Sequence, residues 1–129
     1  MSPAPALTAR GCLPRDAERA LLIGRAWSPA EDGPCVVAVR GDEVVDLTRA
    51  YPTTSQLLNT AKPADVRAAM KAAPRLATLE ALAANSVEGA RDASKPWLLA
   101  PADLHAVKAS GVTFVASLLE RVIEERAKG

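Results

Sequence analysis

Ser117, Glu120 and Glu124 are the residues of this chain whose types and spacing come nearest to chemistry. All three fall in GVTFVASLLERVIEE, where Ser117 and Glu120 are three apart and Glu120 and Glu124 are four apart. Residues at those spacings share one face of a helix. A carboxylate there can take a proton from water while a hydroxyl positions the water or a substrate. Two carboxylates four apart also repel by about 0.2–0.5 kcal/mol unless a cation or a base role compensates. Composition alone favours a plainer role for this face, a solvated one tied by Arg121–Glu125 and Glu124–Lys128 pairs.

The remaining candidates are weaker. His105 is the one histidine, with no second histidine or neighbouring cysteine to complete a metal set, so a structural role is expected. Asp42, Glu43 and Asp46 belong to a predicted hairpin and read as its solvated face. Cys12 and Cys35 are far apart and out of ligand spacing, which predicts free thiols. There is no Gly-rich phosphate loop, nucleophile elbow or paired-thiol motif. Nothing here makes a self-contained active site.

The helix that would carry Ser117 and Glu120 is the best patterned in the chain. Val115, Leu118, Leu119, Val122 and Ile123 follow the i, i+3, i+4, i+7, i+8 rule for one apolar face. Such a face is expected to pack on something further, either more of a larger protein or a partner. The 129 residues are enough for one domain, 49% apolar but only 3% aromatic, with much of the apolar share alanine. Alanine removes little surface from water, at roughly 25 cal/mol per Å2, so a thin core is expected. Sixteen basic and fifteen acidic residues give a net charge of +1 with no basic face, so neither nucleic acid nor an anionic membrane is an expected partner. No secretory h-region or membrane-length apolar run is seen, and a cytoplasmic protein is expected.

Taken in order, residues 1–17 hold Pro3, Pro5 and Pro14 and are expected to form a flexible, extended arm. ALLIGRAW (Ala20–Trp27) reads as a strand, and Ala30–Pro34 as a turn. Cys35–Arg40 and Glu43–Thr48 are β-branched runs separated by Gly41-Asp42, which predicts a tight hairpin with a primed turn. Three helices are predicted next: SQLLNT capped by Thr53 or Thr54, ADVRAAMKAA with Pro63 in its first turn, and RLATLEALAANS with Leu76, Leu79 and Leu82 along one side. They read as one packing layer over the sheet. Val87–Pro96 is a polar loop, Trp97–Leu99 a short strand, and Leu104–Lys108 a further strand before the terminal helix, expected to start near Thr113 or Phe114. The fold class is α+β: a small antiparallel β-sheet module with short packing helices at 18–90, then at 91–129 a linker and the first strand and helix of an incomplete β-rich domain.

From Leu98 to Glu125 the sequence resembles the fumarylacetoacetate hydrolase family, particularly its longer bacterial members. Leu98-Leu99-Ala100-Pro101 is similar to the family's proline-containing lead-in, Leu104–Lys108 to its strand, and Gly111-Val112-Thr113-Phe114 to its Gly-x-Asn-Tyr turn. Counting on, the family's histidine position falls at Ser117 and its glutamate position at Glu120. The hairpin AVRGDEVVDLT also resembles the N-terminal β module these enzymes carry, which extends the likeness over most of the chain from about Ala20.

The resemblance implies the N-terminal portion of a metal-dependent enzyme that hydrolyses a C–C bond in, or dehydrates, 2-keto or 2,4-diketo acids during sugar-acid or aromatic breakdown. It implies a catalytic role for Glu120 and Ser117 on a lid helix, a Mg2+ or Mn2+ cofactor, a homodimer, and a catalytic domain following these residues as the immediate partner. Two departures bear on this. Ser117 replaces a histidine and has no basic nitrogen, so it can position water but cannot be the base. Glu120 meets the requirement only where buried, because desolvation raises a carboxylate's pKa. The family's Glu-x-Glu and Asp metal ligands have no counterpart in these residues. They belong to the catalytic domain, and oxygen ligands of that kind suit such hard cations. The 129 residues alone are therefore expected to be inactive. The alternative is a non-enzymatic interaction module whose terminal helix docks in a partner's groove or on its own twin.

Overall fold

The fold is α+β, built on one five-stranded antiparallel sheet; the computed structural model describes residues 6–111 and 115–128. The elements run α1 (Ala9–Cys12), β1 (Ile23–Ser28), β2 (Gly33–Arg40), β3 (Glu43–Asp46), α2 (Thr54–Thr60), α3 (Pro63–Ala72), β4 (Arg75–Thr78), α4 (Leu79–Ala84), β5 (Trp97–Leu99) and α5 (Val115–Ala127). Strand order is β4-β3-β2-β1-β5, and every pairing is antiparallel.

The predicted hairpin forms as β2–β3, with Arg40 opposite Glu43. Gly41 alone of its two turn residues has positive φ, at 64°. This is the type II′ pattern, whose twist matches that of the flanking strands. β2 is the central strand, and Cys35, Val36, Val37 and Ala38 are all buried. Alternate residues of a strand point to opposite faces, so β2 feeds two cores. Val36 and Ala38 join Val45, Leu47, Leu57, Val66 and Met70 on the face covered by α2 and α3. Cys35 and Val37 join Ala26, Val44, Leu79 and Leu82 on the face covered by α4 and α1.

Several elements differ from the sequence expectation. The predicted helix over 75–86 is a strand for its first four residues, and α4 begins only at Leu79. The i, i+3, i+6 spacing of Leu76, Leu79 and Leu82 looks helical, but β3 offers a free edge that Arg75–Thr78 fills. The helices accordingly form two layers, not one. Residues 6–17 are no extended arm: Thr8 caps α1, the Ala9 N–H donates to Glu80 at 2.8 Å, and Ala9 and Leu13 pack on the second core. β1 starts at Ile23 rather than Ala20, and β5 adds to it in the same sheet. Leu104–Lys108 forms no strand: the chain bends through His105 and has no regular structure over the residues that follow. The expected start of the terminal helix at Thr113 or Phe114 lies outside the described residues.

Polar side chains tie the short elements together. The Arg40 guanidinium donates to the carbonyls of Met70 (2.7 Å) and Ala73 (3.3 Å) at the end of α3, where backbone acceptors lack helical partners. Glu43 bridges Arg40 (3.3 Å) and Arg75 (3.5 Å), so part of the predicted acidic face is paired rather than merely solvated. Buried Asn85 shapes the 86–96 loop: its amide nitrogen faces the carbonyls of Asp92, Lys95 and Pro96 at 3.0–3.1 Å, and its oxygen accepts from the Asp92 N–H. Trp97 stacks on Trp27 across β5–β1, with the Arg91 guanidinium over its ring.

Leu47 and Leu82 are fully buried on opposite faces of the sheet. Leu47→Ala and Leu82→Ala are each expected to cost about 2–5 kcal/mol in chemical denaturation. Because the two cores share no side-chain partner, the double variant is expected to lose close to the sum. A double loss much smaller than the sum would mean that the faces do not form separate cores.

Candidate functional site

Ser117 is the third residue of α5 and Glu120 the sixth, so both sit on the helix that the sequence assigns to them. Glu120 and Glu124 are exposed, as are the apolar side chains of Val115, Leu119 and Ile123. The structure brings no second functional residue up to Glu120 among the described residues. None of their His, Cys, Asp and Glu side chains form a group of three or more able to hold a metal ion. The divalent cation that the family resemblance implies therefore has no ligand set here, and the residues present do not fit it.

The most organised polar cluster lies elsewhere, where the chain leaves β5. Two residues after Pro101, the Asp103 carboxylate accepts from the backbone N–H groups of Thr54 (2.7 Å) and Ser55 (3.1 Å). These are two of the donors that the first turn of any helix leaves unpaired. Thr53 serves a third, its hydroxyl accepting from the Gln56 N–H, while its carbonyl accepts the first intrahelical bond, from the Leu57 N–H. Arg25 on β1 approaches Asp103 at 3.7 Å and donates to the carbonyls of Ala100 and Ala102. The Thr54 hydroxyl donates to the Pro101 carbonyl at 2.9 Å. Partial desolvation pushes the Asp103 carboxyl up, but the N–H groups of Leu104, Thr54 and Ser55 outweigh it and hold it well below the usual carboxylate range.

His105 closes this cluster. The Asp103 N–H donates to its Nδ1 at 3.3 Å, and its Nε2 is buried with no partner among the described residues. The ring lies against the Asp103 carboxylate, 3.6 Å away, rather than beside a strand. Sequence reasoning left Asp103 and Arg25 unremarked. The Pro-Ala-Asp run marks Asp103 as turn chemistry, but its partners at Thr54 and Arg25 are 49 and 78 positions away in sequence.

The thiols differ sharply. Cys12 is exposed, while Cys35 is buried and unpaired. Burial pushes the Cys35 thiol up, and the nearby Asp46 carboxylate adds to this, which disfavours the thiolate that would act as nucleophile or ligand. A shallow hollow of about 200 Å3 between α1 and the sheet, lined by Cys12, Leu13, Ile23, Val39, Leu79 and Leu98, carries no charged or hydroxyl side chain. No described helix is long and apolar enough to cross a membrane. No family model, no curated protein and no solved structure matches the chain.

Two measurements check this geometry. Asp103 has a depressed folded-state pKa, so its stabilisation is complete above the ordinary carboxylate value of about 3.9 and drains as pH falls below it. Asp103→Asn is expected to lower the denaturation midpoint at pH 7 and to reduce the loss between pH 5 and pH 3. Some slope remains, because Asp92, held low by its hydrogen bonds from Ser94, titrates in the same sense. An unchanged acid profile would contradict the Asp103 geometry. In thiol titration of the native protein one cysteine should react at once; in Cys12→Ser the remaining thiol should react only as the protein unfolds.

Proposed function

We propose that the chain is the N-terminal portion of a fumarylacetoacetate hydrolase-family enzyme acting on 2-keto or 2,4-diketo acids. Residues 18–90 are its accessory β module, to whose sheet the strand Trp97–Leu99 of the following segment adds, and the helix Val115–Ala127 is the beginning of its active-site lid. One observation carries this reading: the sheet module closes two cores by itself, while α5 keeps Val115 74%, Leu119 56% and Ile123 65% exposed. A helix with that much apolar surface in water is built to be covered. The AVRGDEVVDLT hairpin at the centre of the sheet agrees with the β module of the resemblance.

In this reading the rest of the protein covers the apolar side of α5 and supplies the Glu-x-Glu and Asp ligands of a divalent cation. That cation, Mg2+ or Mn2+, would chelate the keto-acid part of the substrate. Glu120, exposed here, acts as the base toward water only once the helix is covered, and Ser117 contributes a hydroxyl that positions water or substrate. A general base of this kind contributes about 10²–10⁴-fold to rate. The working unit is a homodimer of the whole enzyme, and the 129 residues alone turn nothing over.

The coding sequence beyond residue 129 tests this directly. The reading frame is expected to continue into a Glu-x-Glu segment; an authentic stop codon there would leave an interaction module using α5 as the better reading. In the complete protein, Glu120→Gln is expected to lower magnesium-dependent consumption of a 2,4-diketo acid by about 100-fold or more, with KM little changed. Full activity in that variant would remove Glu120 from the mechanism.

A further inference from the structure

The stretch Ala100–His105 is held to the module in an unusual way. Its hydrogen bonds run to Arg25, Thr54 and Ser55 on the sheet and α2, and none of its side chains belongs to either core. Leu104 is 77% exposed. Segments held by few apolar contacts open locally at lower free energy than the core. Behind it, Trp97–Leu99 is held by its own pairing with β1.

Closing the stretch also carries a penalty. The Asp103 N–H donates to His105 Nδ1, so in the neutral ring the proton sits on Nε2. That Nε2–H has no partner among the described residues and no accessible surface through which to reach water. Leaving a buried donor unsatisfied costs as much as a factor of roughly 5 to 150 in an equilibrium constant. Opening returns the ring to solvent and removes the penalty.

We propose that Ala100–His105 is a releasable strap: it opens as a unit while the module stays folded, and the buried Nε2 of His105 sets how readily it opens. Asp103 is its latch. The strap fixes the root of the terminal helix. Closed, it leaves nine residues between His105 and α5, a span of at most about 35 Å; open, the span is counted from Leu99 and is at most about 55 Å. The strap thus sets the greatest distance from the module at which α5 can meet whatever covers it. This does not depend on the enzyme reading, and each can fail without the other.

Amide hydrogen exchange at constant neutral pH tests the proposal. The Thr54 and Ser55 amides have no helical acceptor, so their protection reports on the Asp103 latch. Those of Val39 and Leu47, bonded to Leu22 and Val36, report on the module. In the wild type, Thr54 and Ser55 are expected to exchange at least 10-fold faster than Val39 and Leu47. Asp103→Ala should speed Thr54 and Ser55 by a further 10-fold or more with the module amides unmoved. Of His105→Phe, which removes the unsatisfied donor together with the Nδ1 acceptor of the Asp103 N–H, and His105→Asn, which removes Nε2 and keeps an acceptor at the Nδ1 position, at least one should slow Thr54 and Ser55 by 5-fold or more. Exchange of all four amides at one common rate would overturn the strap. A failure of both His105 variants to slow the pair would overturn the role given to Nε2.

Discussion

The fold rests on the double burial of one strand. Cys35–Ala38 of β2 is closed to water on both faces, so the sheet cannot keep a solvated side, as an antiparallel sheet commonly does. Each face must find its own cover, and the helices that supply it, α1 to α4, are at most ten residues long. The division follows from connectivity. The two helices after β3 cover the face of Val36 and Ala38, while the helix after β4 and the turn of helix before β1 cover the face of Cys35 and Val37. The buried side chains that result are valine, alanine, leucine, one methionine and one thiol, none of them aromatic, so thin layers can close over them.

Thin layers explain why so much of the long-range order is polar. Val and Leu side chains contribute roughly 1.5–3 kcal/mol each when fully buried, and with aromatics at 3% of the chain there are few large anchors to add. Arg40, Asn85 and Asp103 do complementary work, each satisfying several backbone groups of a distant segment. Arg40 holds the end of α3 to the hairpin, Asn85 holds the 86–96 loop to α4, and Asp103 holds the chain leaving β5 to the start of α2. These bonds add modest net stability, but the backbone groups they serve would be costly to leave unpaired. They determine where segments go more than how strongly the whole coheres.

Local features of this architecture were legible in the sequence, and pairings between distant segments were not. Gly41-Asp42 between two β-branched runs specified the hairpin, the Thr53-Thr54 pair narrowed the cap of α2 to two residues, of which Thr53 is the one, and Pro63 specified the start of α3. The error at Arg75–Thr78 has a physical cause. Leucines at 76, 79 and 82 satisfy a helical period, yet a free strand edge on β3 offers hydrogen bonds that the local pattern cannot reveal. Leu104–Lys108 failed in the opposite direction: its composition suits a strand, but the chain before it is tied by Asp103 to the start of α2 and to Arg25, and it pairs with no strand. The site was legible to the same degree. Ser117 and Glu120 could be placed on one helix, whereas the latch around Asp103 depends on partners 49 and 78 positions away.

The terminal helix is where these constraints meet. Thirteen residues give a rod of about 20 Å, at the lower limit of what holds as an isolated helix in water. Its helicity therefore draws little from the module and much from whatever removes Val115, Leu119, Val122 and Ile123 from solvent. Pairing with a single twin helix would bury only a fraction of the roughly 1,200–2,000 Å2 found in specific interfaces, so a twin helix alone is a poor cover. A larger surface, such as the body of a second domain, meets that requirement and at the same time fixes the face on which Glu120 lies. Covering the helix and ordering any chemistry it carries are then one event, and Asp103 determines from where the helix approaches it.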